Sequence, residues 1–365
     1  MNKTVSSSLA LCLLIASSCN GEEERTVPLP METPVPLQLH FARGEMNLSI
    51  KEIHARNLVD ETGTGGNNKT DRIGVYLTGT DHKPYKGSLG QYIFIAQNTT
   101  GTDWKCHAGT SETSGSETTL YLSNLTATLQ AFHPAGETVT PDTGNGNHTI
   151  PVTIPATQTY NGKNTWECSA TDYMYASGNE NTVSAISVSN QTPHTNGSIS
   201  QTIYLFHALT KLIFQIKNED GQQESAYNYV KSITLTTATD SPFLTSTGTM
   251  QIKDGTLAGL DPTKTLVFTT TSPVSITSNY TTVGYGLTAP VSSTGNISLS
   301  IKLGTENNTD YDRTLTATLP DTAWQSGYSC TYQLKLKGHI LVPSTITIGT
   351  HTDETVDNEP VIDVD

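Results

Sequence analysis

The chain has 365 residues, enough for about two domains or one large β domain. Twenty Lys and Arg face 34 Asp and Glu, a net charge of −14, which argues against a nucleic-acid binder because phosphate neutralisation needs a basic surface. Only 15% of residues are charged, and Thr, Ser, Asn and Gly fill the deficit. That profile fits an extracellular β protein and opposes a helical bundle, a coiled coil or a doubly wound nucleotide-binding fold.

At the N-terminus, Lys3 precedes the apolar run Leu9–Ala16, which is too short to span a bilayer and reads as a signal-peptide core. It ends in Ala16-Ser17-Ser18-Cys19, small residues before a Cys, as in a bacterial lipobox. Residues 1–18 are then the signal and Cys19 the lipidated first residue of the mature chain; an ordinary secretory cut nearby is the alternative. Residues 19–34 form a tether with Glu22, Glu23 and Glu24 followed by Pro28, Pro30 and Pro34, an acidic and then extended linker.

Strand signals follow. Val35–Arg43 alternates, with Val35, Leu37, Leu39 and Phe41 on one face. Met46–Ile53 alternates and then slips phase, and the polar stretch Glu61–Thr70 is a loop. Further runs occupy Arg72–Leu77, Gln91–Ala96, Leu120–Leu125, Thr128–Phe132, Thr149–Ile154, Thr182–Val188 and Ser200–Phe206. Leu209–Lys217, Val230–Thr236, Thr265–Thr270, Val283–Thr288, Ile297–Leu303, Arg313–Leu319 and Thr331–Leu336 continue the pattern. Turn residues bound most of them, and no amphipathic helix longer than about two turns is evident. The spacing suggests β-sandwiches. The polar stretch Ser189–Ser198 is the best linker, which splits the chain into domains 35–198 and 199–348 with an acidic tail at 349–365.

Catalytic signals are missing. The ten His fall in no metal-binding spacing, and no nucleophile elbow, phosphate loop or dinucleotide fingerprint occurs. No catalytic residue, metal ligand or cofactor is assigned, and the expectation is a non-enzyme. Trp104, and Trp166 beside Tyr160, are the residues that could stack on sugar; core or rim packing is the other reading for each Trp, Trp324 included. Asp321-Thr322-Ala323 matches a short O-glycosylation sequon, as chance also allows. Cys106, Cys168 and Cys330 remain after Cys12 and Cys19, so one disulfide plus one free thiol is an option.

Five segments carry a family resemblance: Asp71–Tyr76 (DRIGVY), Leu129–Pro134 (LQAFHP), Asp172–Ala176 (DYMYA), Leu205–Phe214 (LFHALTKLIF) and Trp324–Leu334 (WQSGYSCTYQL). In this order and behind a lipobox, they resemble the fimbrillin family of lipoprotein-exported fimbrial subunits of Gram-negative anaerobes. The match covers roughly Ile50 to Val342. It departs after Ile346-Thr347-Ile348, where many relatives have Trp and this chain has Gly349.

The resemblance implies an all-β fold of two tandem transthyretin-like β-sandwich domains. It also implies a pilus subunit that reaches the cell surface as an outer-membrane lipoprotein. There a trypsin-like, Arg-specific protease removes the first strand and a neighbouring subunit's strand fills the groove, with a host or bacterial receptor as the adhesion target. On spacing, Val35–Phe41 is the displaced strand and Arg43 the processing site, with Arg56 the alternative. The donor segment is Val356, Val361, Ile362 and Val364, although Pro360 removes a ladder donor there. A cell-surface glycan-binding lipoprotein of a nutrient-uptake system is the competing reading.

Overall fold

The computed structural model describes residues 33–43, 72–87, 90–96, 104–110, 117–160, 168–194, 196–219, 227–237, 243–295, 297–307, 313–337, 340–350 and 361–363. Pro34–Asp365 forms one compact unit. The first half of the chain holds β1 (Val35–Arg43), β2 (Arg72–Gly79), β3 (Gln91–Ala96), β4 (Trp104–Ala108), β5 (Glu117–Thr118), β6 (Tyr121–Leu122), β7 (Ala127–His133), β8 (Thr149–Ile154), β9 (Thr157–Tyr160), β10 (Met174–Ser177), β11 (Ile186–Val188) and β12 (Ile199–His207). The second holds β13 (Thr210–Asn218), β14 (Tyr229–Thr237), β15 (Phe243–Gln251), β16 (Leu257–Ala258), β17 (Asp261–Thr263), β18 (Thr265–Ser275), β19 (Thr281–Thr288), β20 (Ile297–Gly304), β21 (Arg313–Thr318), β22 (Tyr328–Lys337), β23 (Ile340–Thr350) and β24 (Val361–Asp363). Among the described residues, helical structure is limited to a 3-10 turn at Tyr85–Gly87 and 3-10 geometry at Tyr227. The all-β expectation is met.

The first sheet runs β5-β4-β3-β2-β7-β10-β12-β1-β6, with β11 also paired to β7. Its two end strands are β5 and β6, which are separated in the chain by Thr119 and Leu120 alone. Three peptide steps reach at most about 11 Å, so the two ends of the path lie side by side. The sheet is therefore rolled around its own apolar face. Inside lie Leu37, Leu39, Phe41, Ile73, Val75, Leu77, Phe94, Leu122, Leu129, Met174, Ile199, Ile203 and Leu205.

Two five-stranded sheets follow, β19-β13-β22-β23-β24 and β21-β20-β14-β18-β9, plus a small sheet of β15 with β16, β17 and β8. They share one core that includes Phe214, Val283, Tyr332, Leu334, Ile233, Phe268, Leu299 and Ile301. Glycines set how closely the chain segments approach. A Cβ on Gly284 would stand 2.0 Å from Ile233 Cδ1, and one on Gly286 would stand 2.1 Å from Phe268 Cε1. The Gly-Tyr-Gly run of β19 thus lets both side chains press onto the strand backbone.

The division of the chain is not linear. The loop 189–198, expected to separate two domains, instead joins β11 to β12, and both pair within the first sheet. The chain leaves that sheet ten residues later, at Ala208-Leu209 between β12 and β13. Conversely, β8 pairs with β15 and β9 with β18, so part of 35–198 builds the second core. Ser189–Ser198 is polar because it is an exposed turn, a composition that a linker shares.

Candidate functional site

The candidate functional feature is β1, the strand between β12 and β6. Its alternation is that of a half-buried strand: Leu37, Leu39 and Phe41 are buried, whereas Gln38 is exposed and His40 and Ala42 are half-buried. Val35, partly buried, packs against the same core. Phe41 packs among aromatic rings, edge-on to Trp104 at 4.6 Å and to Phe94 at 5.7 Å between centroids. The sequence-assigned first strand is thus an integral part of the roll.

Its backbone is held unequally on its two sides. Toward β12 it runs parallel in unbroken register from Leu37↔Ile199 to Arg43↔Leu205. Toward β6 the antiparallel pairing is limited, among the described residues, to Val35↔Leu122 and Pro36↔Tyr121. The Leu37 N–H adds a bond to the Leu120 carbonyl at 2.8 Å. Pro36 has no N–H to offer, which is tolerable at this short contact. Arg43 is the last residue of the ladder. Arg56, Cys19 and the Met46–Ile53 run lie outside the described residues.

The far end of the chain also forms a ladder. Val361 and Ile362 belong to β24, which pairs with β23 through Thr347↔Val361, Ile346↔Ile362 and Thr345↔Asp363. Val356 and Val364 lie outside the described residues. β23 itself pairs with β22 over its whole length.

The residues considered for sugar stacking are dispersed. Trp104 covers Phe41, and Trp166 lies outside the described residues. Tyr160 is buried, with its hydroxyl donating to the Val283 carbonyl, and burial raises its pKa. Trp324 is buried too, and its Nε1–H donates to the Tyr332 hydroxyl at 2.7 Å. Asp321 serves a turn: its carboxylate accepts from the Ser293 hydroxyl at 2.7 Å and the Gly295 N–H at 2.8 Å. Cys106, Cys168 and Cys330 are all buried thiols, so the optional disulfide is not formed, and burial pushes the Cys106 thiol up to about 12. Among the described residues no three His, Cys, Asp or Glu side chains group as a metal site.

The five resembling segments converge in ways that their spacing conceals. Gly74 stands opposite Phe132 in the β2–β7 ladder, and a Cβ there would lie 2.5 Å from the Phe132 ring. His133, Asp172 and His207 form a buried cluster. The His207 Nδ1–H donates to the Asp172 carboxylate at 2.6 Å, and the His133 Nδ1–H donates to the Asp172 carbonyl at 2.8 Å. Ser326 donates to the His207 and Ala208 carbonyls at 3.0 Å each. Separations of 39 and 35 residues leave no pattern in a single sequence by which this cluster could be found.

Together these features define an all-β protein of packed sheets whose first sheet is closed by one N-terminal strand. The chain belongs to the fimbrillin-like family, whose profile matches residues 60–350. Among solved structures, it is similar to a candidate cell adhesion protein from Bacteroides ovatus at 16% identity, with 88% of this chain and 100% of that one covered and a TM-score of 0.55. A candidate cell adhesion protein from Bacteroides uniformis is similar at 15% identity, with coverages of 87% and 99% and a TM-score of 0.51. At such identities the likeness concerns the fold alone. No curated protein matches the sequence.

Proposed function

We propose that this protein is a fimbrial subunit of the cell surface, with no enzymatic activity, that is exported as an outer-membrane lipoprotein through Cys19. An Arg-specific protease cuts after Arg43, β1 leaves, and a strand of a neighbouring subunit takes its place. One observation carries the reading: β1 is the stave that closes the roll, and its last paired residue is Arg43. Membership of the fimbrillin-like family supports assembly with other subunits. The cell-adhesion descriptions of the similar structures agree with a role in attachment.

The chemistry is that of strand addition. Loss of β1 exposes the backbone donors and acceptors of β12 from Ile199 to Leu205 and the apolar sites of Leu37, Leu39 and Phe41. An incoming strand restores both, the ladder supplying affinity and the alternate side chains specificity. Head-to-tail addition that does not close yields a filament. The segment Val356–Val364 is the donor in this reading. Three residues hold its described part to β23, so little ladder need be undone to release it.

The test is digestion of the full chain with a trypsin-like protease, followed by N-terminal sequencing and mass analysis of the products. A chain beginning at Gly44 that forms laddered polymers is expected, and Arg43→Ala should abolish both. A processed chain that begins after Arg25 and stays monomeric, with β1 retained, overturns the proposal.

A further inference from the structure

The His133–Asp172–His207 cluster lies where the chain leaves the first sheet for the second. His133 ends β7 and His207 ends β12, and both are register neighbours of Met174 at the start of β10. Beyond His207 the crossover Ala208-Leu209 is held by a single loop of the second half. Besides the two Ser326 bonds, the Gly327 N–H donates to the Leu209 carbonyl at 3.1 Å, and the Thr210 hydroxyl donates to the Gln325 carbonyl at 2.7 Å. The Ala208 N–H in turn donates to the Tyr173 carbonyl at 2.7 Å, beside Asp172. One connected network therefore joins three strand ends, the crossover and the 325–327 loop.

The protons in this network are fixed by its acceptors. A carbonyl and a carboxylate only accept, so both Nδ1 atoms carry hydrogen. The Asp172 carboxylate is already engaged by His207. A further proton on His133 would put a cationic ring into a buried site whose one carboxylate already accepts from His207. The titratable groups acting on His133 are Asp172 from the β10 side and His207 from β12; Glu137 acts on the neighbouring Tyr173. Burial outweighs them and holds the His133 pKa below its usual 6.5.

We propose that the His133–Asp172–His207 cluster is an acid-sensitive latch on the crossover: a proton taken up from solvent by His133 Nε2 parts the ends of β7, β10 and β12 and releases the 325–327 loop. The sign follows from linkage. The opened state binds the proton with the ordinary affinity of histidine and the closed state more weakly, so closure is strongest above pH 6.5 and weakens as pH falls below it. One linked proton changes the open-to-closed ratio by up to about tenfold per pH unit within that window. The latch does not depend on strand release.

The test is hydrogen exchange of the full chain at pH 7.5 and 5.5, followed by mass spectrometry and corrected for intrinsic exchange. Exchange at 173–177 and 205–210 should rise by up to about tenfold per unit below pH 6.5 while β14 stays protected. His133→Asn keeps a donor for the Asp172 carbonyl and cannot titrate, so it should remove the rise; His194→Asn, at an exposed turn, should keep it. An equal rise in His133→Asn, or a rise throughout the chain, overturns the latch. Should His133→Asn fail to fold, imidazole NMR titration of the unaltered protein decides. A His133 midpoint below 6.5 that tracks the exchange supports the latch, and one at or above 6.5 refutes it.

Discussion

Truncating Phe41 to Ala should loosen β1 more than any other single change in that strand. Fully burying an apolar side chain contributes about 1.5–3 kcal/mol, so Leu37, Leu39 and Phe41 together hold β1 by about 5–9 kcal/mol. Phe→Ala in a core costs about 3–5 kcal/mol, because a cavity replaces the ring. Here the ring also loses its edge contacts with Trp104 and Phe94. The change therefore removes roughly half of the apolar burial that fastens the strand, beside the backbone ladder to β12. The assay is dissociation of the cut β1 peptide from protein nicked after Arg43, followed by mass spectrometry. At about 1.4 kcal/mol per factor of ten, a loss of 3 kcal/mol speeds release by roughly a hundredfold. Gln38→Ala, at an exposed position of the same strand, should leave the rate within about twofold. Equal release rates for Phe41→Ala and the unaltered strand would refute the view that this side chain anchors β1.

Gly74→Ala should destabilise the uncut protein by about 1–3 kcal/mol in urea unfolding, because Phe132 is fully buried and its ring cannot swing clear of a new methyl group. Trp324→Phe should cost about 1–3 kcal/mol in the same experiment by removing the donor to the buried Tyr332 hydroxyl, with the loss reduced when Tyr332→Phe is added. In the uncut protein, a thiol reagent at pH 8 should leave Cys106, Cys168 and Cys330 unmodified until denaturant is added. Rapid labelling of Cys106 in the native protein would contradict both its burial and the upward push on its thiol.

Much of the fold was legible because alternation and turn residues coincide. Val35–Arg43, Gln91–Ala96 and Thr149–Ile154 match β1, β3 and β8 to the residue. β15 escaped, since Phe243–Gln251 is rich in Ser and Thr and carries Gly248, which reads as a break. The strand tolerates that glycine because the Ala258 carbonyl lies 2.4 Å from where its Cβ would be. β4 escaped because Trp104–Ala108 is short and half-buried, with one fully buried residue, Cys106. The pairing across the expected boundary was not legible for a different reason: pairing partners are long-range, and composition cannot tell a loop inside one sheet from a linker between two. The cluster of His133, Asp172 and His207 was hidden likewise, although each member lies in a segment singled out by resemblance. What the segments share is a set of contacts with one another, and these become visible only when the strands are laid side by side.

The rolled path has a consequence for architecture on a larger scale. Because β5 and β6 are tied by two residues, the gap between β12 and β6 cannot spread freely once β1 is gone. Neighbouring strands stand about 4.7–4.9 Å apart, so the slot is one strand wide. Under the proposed strand exchange, each subunit would have a valence of one toward incoming strands and, with the tail Val356–Val364 as donor, a valence of one toward outgoing strands. Units of that kind can lengthen a chain but cannot branch it, and polymer length is set by supply and by whatever subunit lacks a free slot or a free tail.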